Sequence, residues 1–113
     1  MGFILRSEAG ALAITGDTGP GSSFWQELVP YRDELRGILV ECSFPDRLES
    51  LALESGHLCP RLLRAELERA PGLDAPIYVY AFKGPTRNET IEEITSWADE
   101  GVEILEAGSV LEF

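Results

Sequence analysis

Two residues suited to acid–base chemistry, Glu41 and His57, lie near the two ends of one short stretch of the sequence. The apolar run Ile38-Leu39-Val40 predicts a strand, and Glu41 is the first residue of its polar tip. His57, the only histidine in the chain, follows Gly56, a residue type that commonly ends a helix. Strand tips and helix ends tend to face clefts, and here each of them delivers a polar group. A single histidine at a helix end more commonly has a surface or capping role, so both interpretations stay open.

Asp17 is a second candidate for chemistry. It follows the predicted strand 11–15 on the glycine-rich sequence Gly16-Asp17-Thr18-Gly19-Pro20-Gly21. A carboxylate in this position could bind a metal ion, and it could equally form an ordinary Asx turn.

The elements that must position these residues alternate between strand and helix. Residues 3–5 and 11–15 predict a hairpin around Glu8-Ala9-Gly10. A helix is predicted to include Phe24, Trp25, Leu28, Val29 and Leu35, with Pro30 interrupting it. The order β-β-α-β-α-α-β-α-β-β, with later strands at 77–82, 102–105 and 110–113, indicates an α/β sandwich. We expect a single domain spanning residues 1–113.

Two capping boxes are predicted to start helices, one from Asp46 and Glu49 and the other from Thr86 and Glu89. The first of these helices is predicted to bury the side chains of Leu48, Leu51 and Ala52 and to end at Gly56. Pro60 is predicted in the first turn of the next helix.

The composition excludes several functional classes. A net charge of −11 argues against nucleic acid or an anionic membrane as a partner. No apolar run reaches the length of a membrane span. Cys42 and Cys59 lack the spacing of a zinc or redox site, so we expect free thiols in a reducing cytoplasm.

Several segments together resemble a known family. GDTGP (with Asp17), FWQELVP, RGILVECSFPD, SGHLCP (with His57) and IYVYAFKGP occur in the order seen in class II cyclic-nucleotide phosphodiesterases. These enzymes are metallohydrolases of the metallo-β-lactamase fold. The resemblance covers about residues 4–94 and matches only the C-terminal half of such an enzyme. It implies the C-terminal half of an αββα sandwich, a mixed sheet with flanking helices.

The resemblance also implies roles for the candidate residues. Asp17 resembles the carboxylate that bridges two metal ions, commonly zinc. His57 resembles a site histidine near the scissile phosphate of a cyclic nucleotide, oriented by Glu41. The sequence departs from the family in two respects, since it has no His-x-His-x-Asp-His motif and Ala81 stands where the family tends to carry a ligand histidine. We therefore expect an incomplete zinc site.

Three hypotheses follow for the function. The chain is a fragment, split subunit or degenerate form of a phosphodiesterase, or a non-catalytic module that oligomerises, or, ranked last, a receiver-like signalling domain. The last needs paired acids beside Asp17, which are absent. The expected partner is a missing N-terminal half or a second copy, bound through exposed Phe24, Trp25, Phe82 and Trp97.

Overall fold

The computed structural model describes residues 2–15, 24–69, 75–80, 82, 84–98 and 101–105, which form a mixed sheet with helices. Its strands lie side by side in chain order. They are β1 (Gly2–Ser7), β2 (Gly10–Thr15), β3 (Leu35–Glu41), β4 (Ile77–Tyr80) and β5 (Val102–Ile104). β1 and β2 are antiparallel, and every later pair is parallel. The predicted α/β class and hairpin are confirmed, while the strand predicted at 110–113 lies outside the described residues.

Four α-helices connect the strands. They are α1 (Phe24–Leu28), α2 (Glu49–Ser55), α3 (Pro60–Arg69) and α4 (Arg87–Thr95). Short 3-10 helices lie at Val29–Tyr31, Asp46–Leu48 and Gly84–Thr86. None of the described helices is long and apolar enough to cross a membrane.

The structure changes the predicted extent of the first helix. Pro30 lies in the 3-10 helix that follows α1, so the predicted interruption is confirmed. Leu35 was predicted to be helical, but it is the first residue of β3. The chain turns between Tyr31 and Glu34, where the Glu34 N–H donates to the Tyr31 carbonyl at 2.8 Å. The apolar side chain of Leu35 therefore belongs to the sheet.

The sheet order also excludes a receiver-like domain. Such domains have the parallel strand order 2-1-3-4-5. Here the order is 1-2-3-4-5 and the first pair is antiparallel.

The helices cover one face of the sheet. Parallel strands added in chain order by right-handed crossovers place their connecting helices on the same side. Leu35, the first residue of β3, belongs to the hydrophobic core and is 4% exposed. The other core residues of the strands are fully buried and alternate along them. They are Ala11, Ala13, Ile38, Val40 and Val79, and they pack with Leu28, Leu63 and Ile94 of the helices.

The alternate strand positions form what we call the outer face. Its apolar and aromatic residues are Leu5, Leu12, Ile14, Leu39, Tyr78 and Tyr80. None of these six belongs to the core cluster, Leu5 is exposed and the other five are half-buried. The register also places Glu41, which is buried, beside Tyr80 on this face.

The surface predicted for oligomerisation is wrong in two of its residues. Phe24 and Trp25 are each only 6% exposed and belong to the core. Their rings meet edge to face, with centroids 5.3 Å apart. Helix α1 has only five residues, so few of its side chains can reach the core. It fills the core by turning its two aromatic side chains towards the sheet. Phe82 and Trp97 are half-buried against the same core.

The capping box predicted at Asp46 does not form. The Asp46 N–H donates to the Glu93 carboxylate of α4 at 2.9 Å, so it does not bond Glu49. The Asp46 carboxylate accepts from the N–H of Arg61 at 2.7 Å, in the first turn of α3. Asp46 therefore caps α3, with Pro60 at the first helical position as predicted.

The capping box predicted at Thr86 is also wrong, although α4 begins after Thr86 as expected. Thr86 makes no side-chain capping bond. The Glu89 carboxylate instead pairs with Arg47 at 2.9 Å. In both predicted capping boxes, a residue that is distant in the sequence bonds one member of the box, so the local capping bond does not form.

Helix α2 is more exposed than its pattern predicted. Ala52 is fully buried, whereas Leu51 and Leu53 are 45% and 49% exposed. Gly56 ends the helix, as predicted, in a left-handed conformation with φ of +73°. That conformation suits glycine, which has no Cβ to clash.

Candidate functional site

The carboxyl ends of three strands meet at one edge of the sheet. Parallel pairing places the ends of β2, β3 and β4 there, and these ends carry Thr15, Glu41 and Tyr80. The backbone N–H of Glu41 donates to the Thr15 hydroxyl at 3.0 Å. The Tyr80 hydroxyl donates to the Thr15 carbonyl. These bonds fix the three strand ends relative to one another.

Glu41 and His57 are in contact at this edge. Glu41 Oε1 lies 3.1 Å from His57 Nδ1, and the two side chains are 3% and 17% exposed. The Ser43 hydroxyl donates to the other carboxylate oxygen, Oε2. A carboxylate is only an acceptor, so the arrangement places a proton on Nδ1. Proton exchange with a substrate oxygen then falls to Nε2.

Backbone bonds hold His57 in this position. Its N–H donates to the Ala52 carbonyl at 2.9 Å, across the left-handed turn that ends α2. The Leu58 carbonyl accepts from the N–H groups of Ser43 and Phe44 at 3.1 and 3.4 Å. The Phe44 ring also meets the imidazole edge to face, with centroids 5.8 Å apart. The loop carrying His57 is therefore bonded directly to the extension of β3.

The structure thus brings together two of the three predicted site residues. Asp17 and Ala81 lie outside the described residues, and Thr15, two positions before Asp17, lies at the same edge as Glu41. The catalytic role of Glu41 and His57 stays a prediction. Sequence reasoning gave Ser43 no role, although its spacing of two from Glu41 at a strand tip could have indicated it.

The two thiols are unsuited to nucleophilic chemistry. Both cysteines are fully buried and free. Burial raises the pKa of Cys42 well above its ordinary range. Burial also raises the pKa of Cys59 to about 11, and the neighbouring Asp46 adds to the shift. Both thiols are therefore protonated at neutral pH.

A hydrolytic metal ion does not fit the donors that the structure describes. Within those residues no group of three or more His, Cys, Asp or Glu side chains could hold one. A catalytic zinc ion takes about three protein ligands and keeps one position for water. His57 already binds Glu41 through Nδ1, and the cysteines carry protons. This part of the chain therefore does not form a metal centre.

Comparisons with known proteins identify the fold. No family model matches the chain, and no curated protein matches it in sequence. The crystal structure of unliganded yeast PDE1 superposes with a TM-score of 0.68 at 24% sequence identity. The chain therefore shares the metallo-β-lactamase-like fold of that structure over the part that the match covers. The match covers 93% of this chain and 38% of that one, so the chain spans well under half the length of its neighbour. The predicted mixed sheet with flanking helices is confirmed.

Proposed function

We propose that this chain is the C-terminal half of a cyclic-nucleotide phosphodiesterase-like hydrolase. It supplies Glu41 and His57 as the acid–base pair of a site completed by another polypeptide segment. The observation that carries the proposal is the buried contact between Glu41 Oε1 and His57 Nδ1 at 3.1 Å. The shared fold with yeast PDE1, a phosphodiesterase, supports the substrate class.

The chemistry of the pair suits the cleavage of a phosphodiester. A water oxygen forms the new bond to phosphorus and its proton goes to solvent, while the P–O bond to the sugar oxygen breaks. The leaving alkoxide takes up a proton, which the doubly protonated imidazole delivers from Nε2. The Glu41 carboxylate keeps the ring oriented and stabilises its positive form, as the aspartate does in a catalytic triad. The Ser43 hydroxyl holds the second carboxylate oxygen and so fixes the orientation of Glu41. Acid–base catalysis of this kind contributes about 10²–10⁴-fold to a rate.

The metal requirement of the family limits what the chain does alone. In this proposal Asp17 contributes one carboxylate ligand, and the remaining ligands come from the missing half. Because the described donors do not fit a metal centre, no step for the isolated chain passes through zinc. We expect the isolated chain to bind zinc weakly and not to hydrolyse cyclic nucleotides at a family-like rate.

The first experiment titrates the purified chain with zinc or manganese and assays cyclic AMP hydrolysis. Weak binding without turnover is expected. Tight stoichiometric binding with turnover that vanishes in both Asp17→Ala and His57→Ala would show that the site is complete in this chain.

The second experiment mixes the Ala81→His chain with an N-terminal half that carries the histidine cluster. We expect recovered hydrolysis that falls about 100-fold in His57→Gln. Glu54→Gln, which changes an exposed carboxylate near the end of α2, is the matched control and should leave the activity unchanged. Recovery that is insensitive to His57 would remove the acid–base role.

The alternative is a non-catalytic module that kept the scaffold. The observation that favours it is the lack of a metal-binding group among the described residues. Failure of the mixed halves to hydrolyse any cyclic nucleotide would favour this alternative.

A further inference from the structure

Two tyrosine side chains lie on the same face of β4. Tyr78 and Tyr80 are two positions apart, and alternate side chains of a strand point to the same side of the sheet. Both belong to the outer face and both are half-buried. Tyr78 pairs with Leu39 in the middle of β3, whereas Tyr80 pairs with Glu41 at its end. Tyr80 therefore lies level with the candidate site, and Tyr78 does not.

The side chain of Tyr80 crosses a whole strand. Its hydroxyl donates to the carbonyl of Thr15 on β2, although β3 lies between β2 and β4. Neighbouring strands are about 4.8 Å apart, so this bond links two strands that are about 10 Å apart. The phenol ring must therefore pass over β3 on the outer face, at the level of Glu41. Tyr80 thus connects the two strands that flank Glu41.

Two backbone donors complete a closed arrangement around Glu41. The Glu41 N–H donates to the Thr15 hydroxyl at 3.0 Å, on the β2 side. The next N–H along the chain, that of Cys42, donates to the Tyr80 carbonyl at 3.0 Å, on the β4 side. The bond from the Tyr80 hydroxyl to the Thr15 carbonyl then joins the two flanking residues to each other. We call these three hydrogen bonds the clamp, and the backbone of Glu41 lies inside it.

The clamp bears on the contact between Glu41 and His57. His57 is held from its own loop, by the bond from its N–H to the Ala52 carbonyl at 2.9 Å. Glu41 is held from the sheet, so the 3.1 Å between Glu41 Oε1 and His57 Nδ1 depends on where the end of β3 lies. The ends of secondary-structure elements open more easily than their middles. The clamp opposes this opening because it ties the end of β3 to the strands on both sides.

We infer that Tyr80 is a positioning residue, whose hydroxyl closes the clamp and thereby holds the Glu41 carboxylate against His57. Its effect on catalysis rests on the proposed function. Tyr80 acts through Thr15 and the backbone of Glu41, and it takes no part in proton transfer. A neutral hydrogen bond contributes a factor of about 3–10 to a local equilibrium. Without the Tyr80 hydroxyl, the end of β3 should therefore be open about 3–10 times more often.

Hydrogen exchange followed by NMR on the full chain measures the clamp without an assay of activity. In Tyr80→Phe the Glu41 amide should exchange about 3–10-fold faster than in the wild type, and the Ile38 amide in the middle of β3 should change less. The Nδ1 proton of His57 should exchange with water faster by a similar factor. A loss of global stability alone would accelerate both amides by the same factor. Tyr78→Phe, which removes a hydroxyl from the same face of the same strand, is the matched control and should leave these rates unchanged.

Kinetics of the mixed halves, with Ala81→His in this chain, measure the consequence for catalysis. Tyr80→Phe should lower kcat at least about 3-fold with KM unchanged, because a small displacement of a catalytic group slows the chemical step. Tyr78→Phe should leave both constants unchanged. A change confined to KM would place the Tyr80 hydroxyl against the substrate and would overturn the positioning role.

The two measurements separate this inference from the proposed function. Wild-type halves that hydrolyse no cyclic nucleotide would remove the proposed function, and the exchange rates would still decide whether Tyr80 holds the pair. The inference is wrong if the Glu41 and His57 protons exchange no faster in Tyr80→Phe than in Tyr78→Phe. It is also wrong if the halves are active and the two variants have the same kcat.

Discussion

Replacing Glu41 tests the site most directly. The carboxylate accepts from His57 on one oxygen and from Ser43 on the other, and its side chain is 3% exposed. Glu41→Ala leaves both donors without that acceptor. Glu41→Gln keeps the shape of the side chain: its carbonyl oxygen can accept from His57, and its amide nitrogen can donate to the Ser43 hydroxyl if that hydroxyl turns to accept.

The expected magnitudes follow from these bonds. A buried donor that loses its acceptor costs about 1–3 kcal/mol. Two donors lose their acceptor in Glu41→Ala, which should therefore lower the free energy of unfolding by about 2–6 kcal/mol, a large part of the stability of a small domain. Glu41→Gln can keep both contacts if the Ser43 hydroxyl turns to accept, so it should cost less, about 1 kcal/mol.

Urea denaturation measures these differences in the free energy of unfolding as shifts of the midpoint, provided that the m-value is the same in the variant and the wild type. Glu89→Gln is the control, since it removes the charge of an exposed carboxylate that pairs with Arg47, and it should cost less than about 1 kcal/mol. Nitrogen NMR of wild-type His57 should show a proton on Nδ1, the nitrogen that faces Glu41. A ring without a proton on Nδ1, or a Glu41→Ala variant as stable as the wild type, would refute the arrangement.

Two further predictions concern stability. The raised pKa values of Cys42 and Cys59 stabilise the fold below about pH 8.5, where the unfolded thiols are protonated. This contribution should be lost as the pH rises towards 11, because the thiols of the unfolded chain ionise first. The urea midpoint of the wild type should therefore fall over that pH range. The urea midpoint of Cys59→Ala should fall less than that of the wild type. Gly56→Ala should cost about 1 kcal/mol through its left-handed backbone, although the added methyl group has room. Gly84→Ala also has room and has no left-handed φ, so it should leave the thermal midpoint nearly unchanged.

Local signals in the sequence predicted much of the fold. The hairpin, the interruption at Pro30, the end of α2 at Gly56 and the start of α3 at Pro60 depend on backbone preferences of single residues. Such preferences act within a few positions, so the sequence is sufficient to show them.

The errors have a common physical cause. Glu49 lost its predicted partner because Glu93 of α4 bonds the Asp46 N–H, and these residues are 47 positions apart. Leu51 fits a helical apolar pattern, but it is 45% exposed. Periodicity predicts which residues share a face, whereas burial depends on which element packs there.

The candidate site was predicted in part for the same reason. Local features predicted that Glu41 lies at a strand tip and His57 at a helix end, and the family resemblance predicted their pairing, which the structure shows. The part played by Ser43 depends on the rotamer of Glu41, which is set by packing and hydrogen bonds at the sheet edge.

The sheet order has a consequence for how the chain is made. Its strands are neighbours in the sheet in the order in which they occur in the sequence. Of these five strands, β1 and β2 of the hairpin are synthesised first, and each later strand adds to an edge that already exists. No strand has to be inserted between two others. Each strand pairs with the strand that precedes it in the sequence, so the loop that each pairing closes is short. The chain can therefore fold progressively from its N-terminal end while the rest is still being translated.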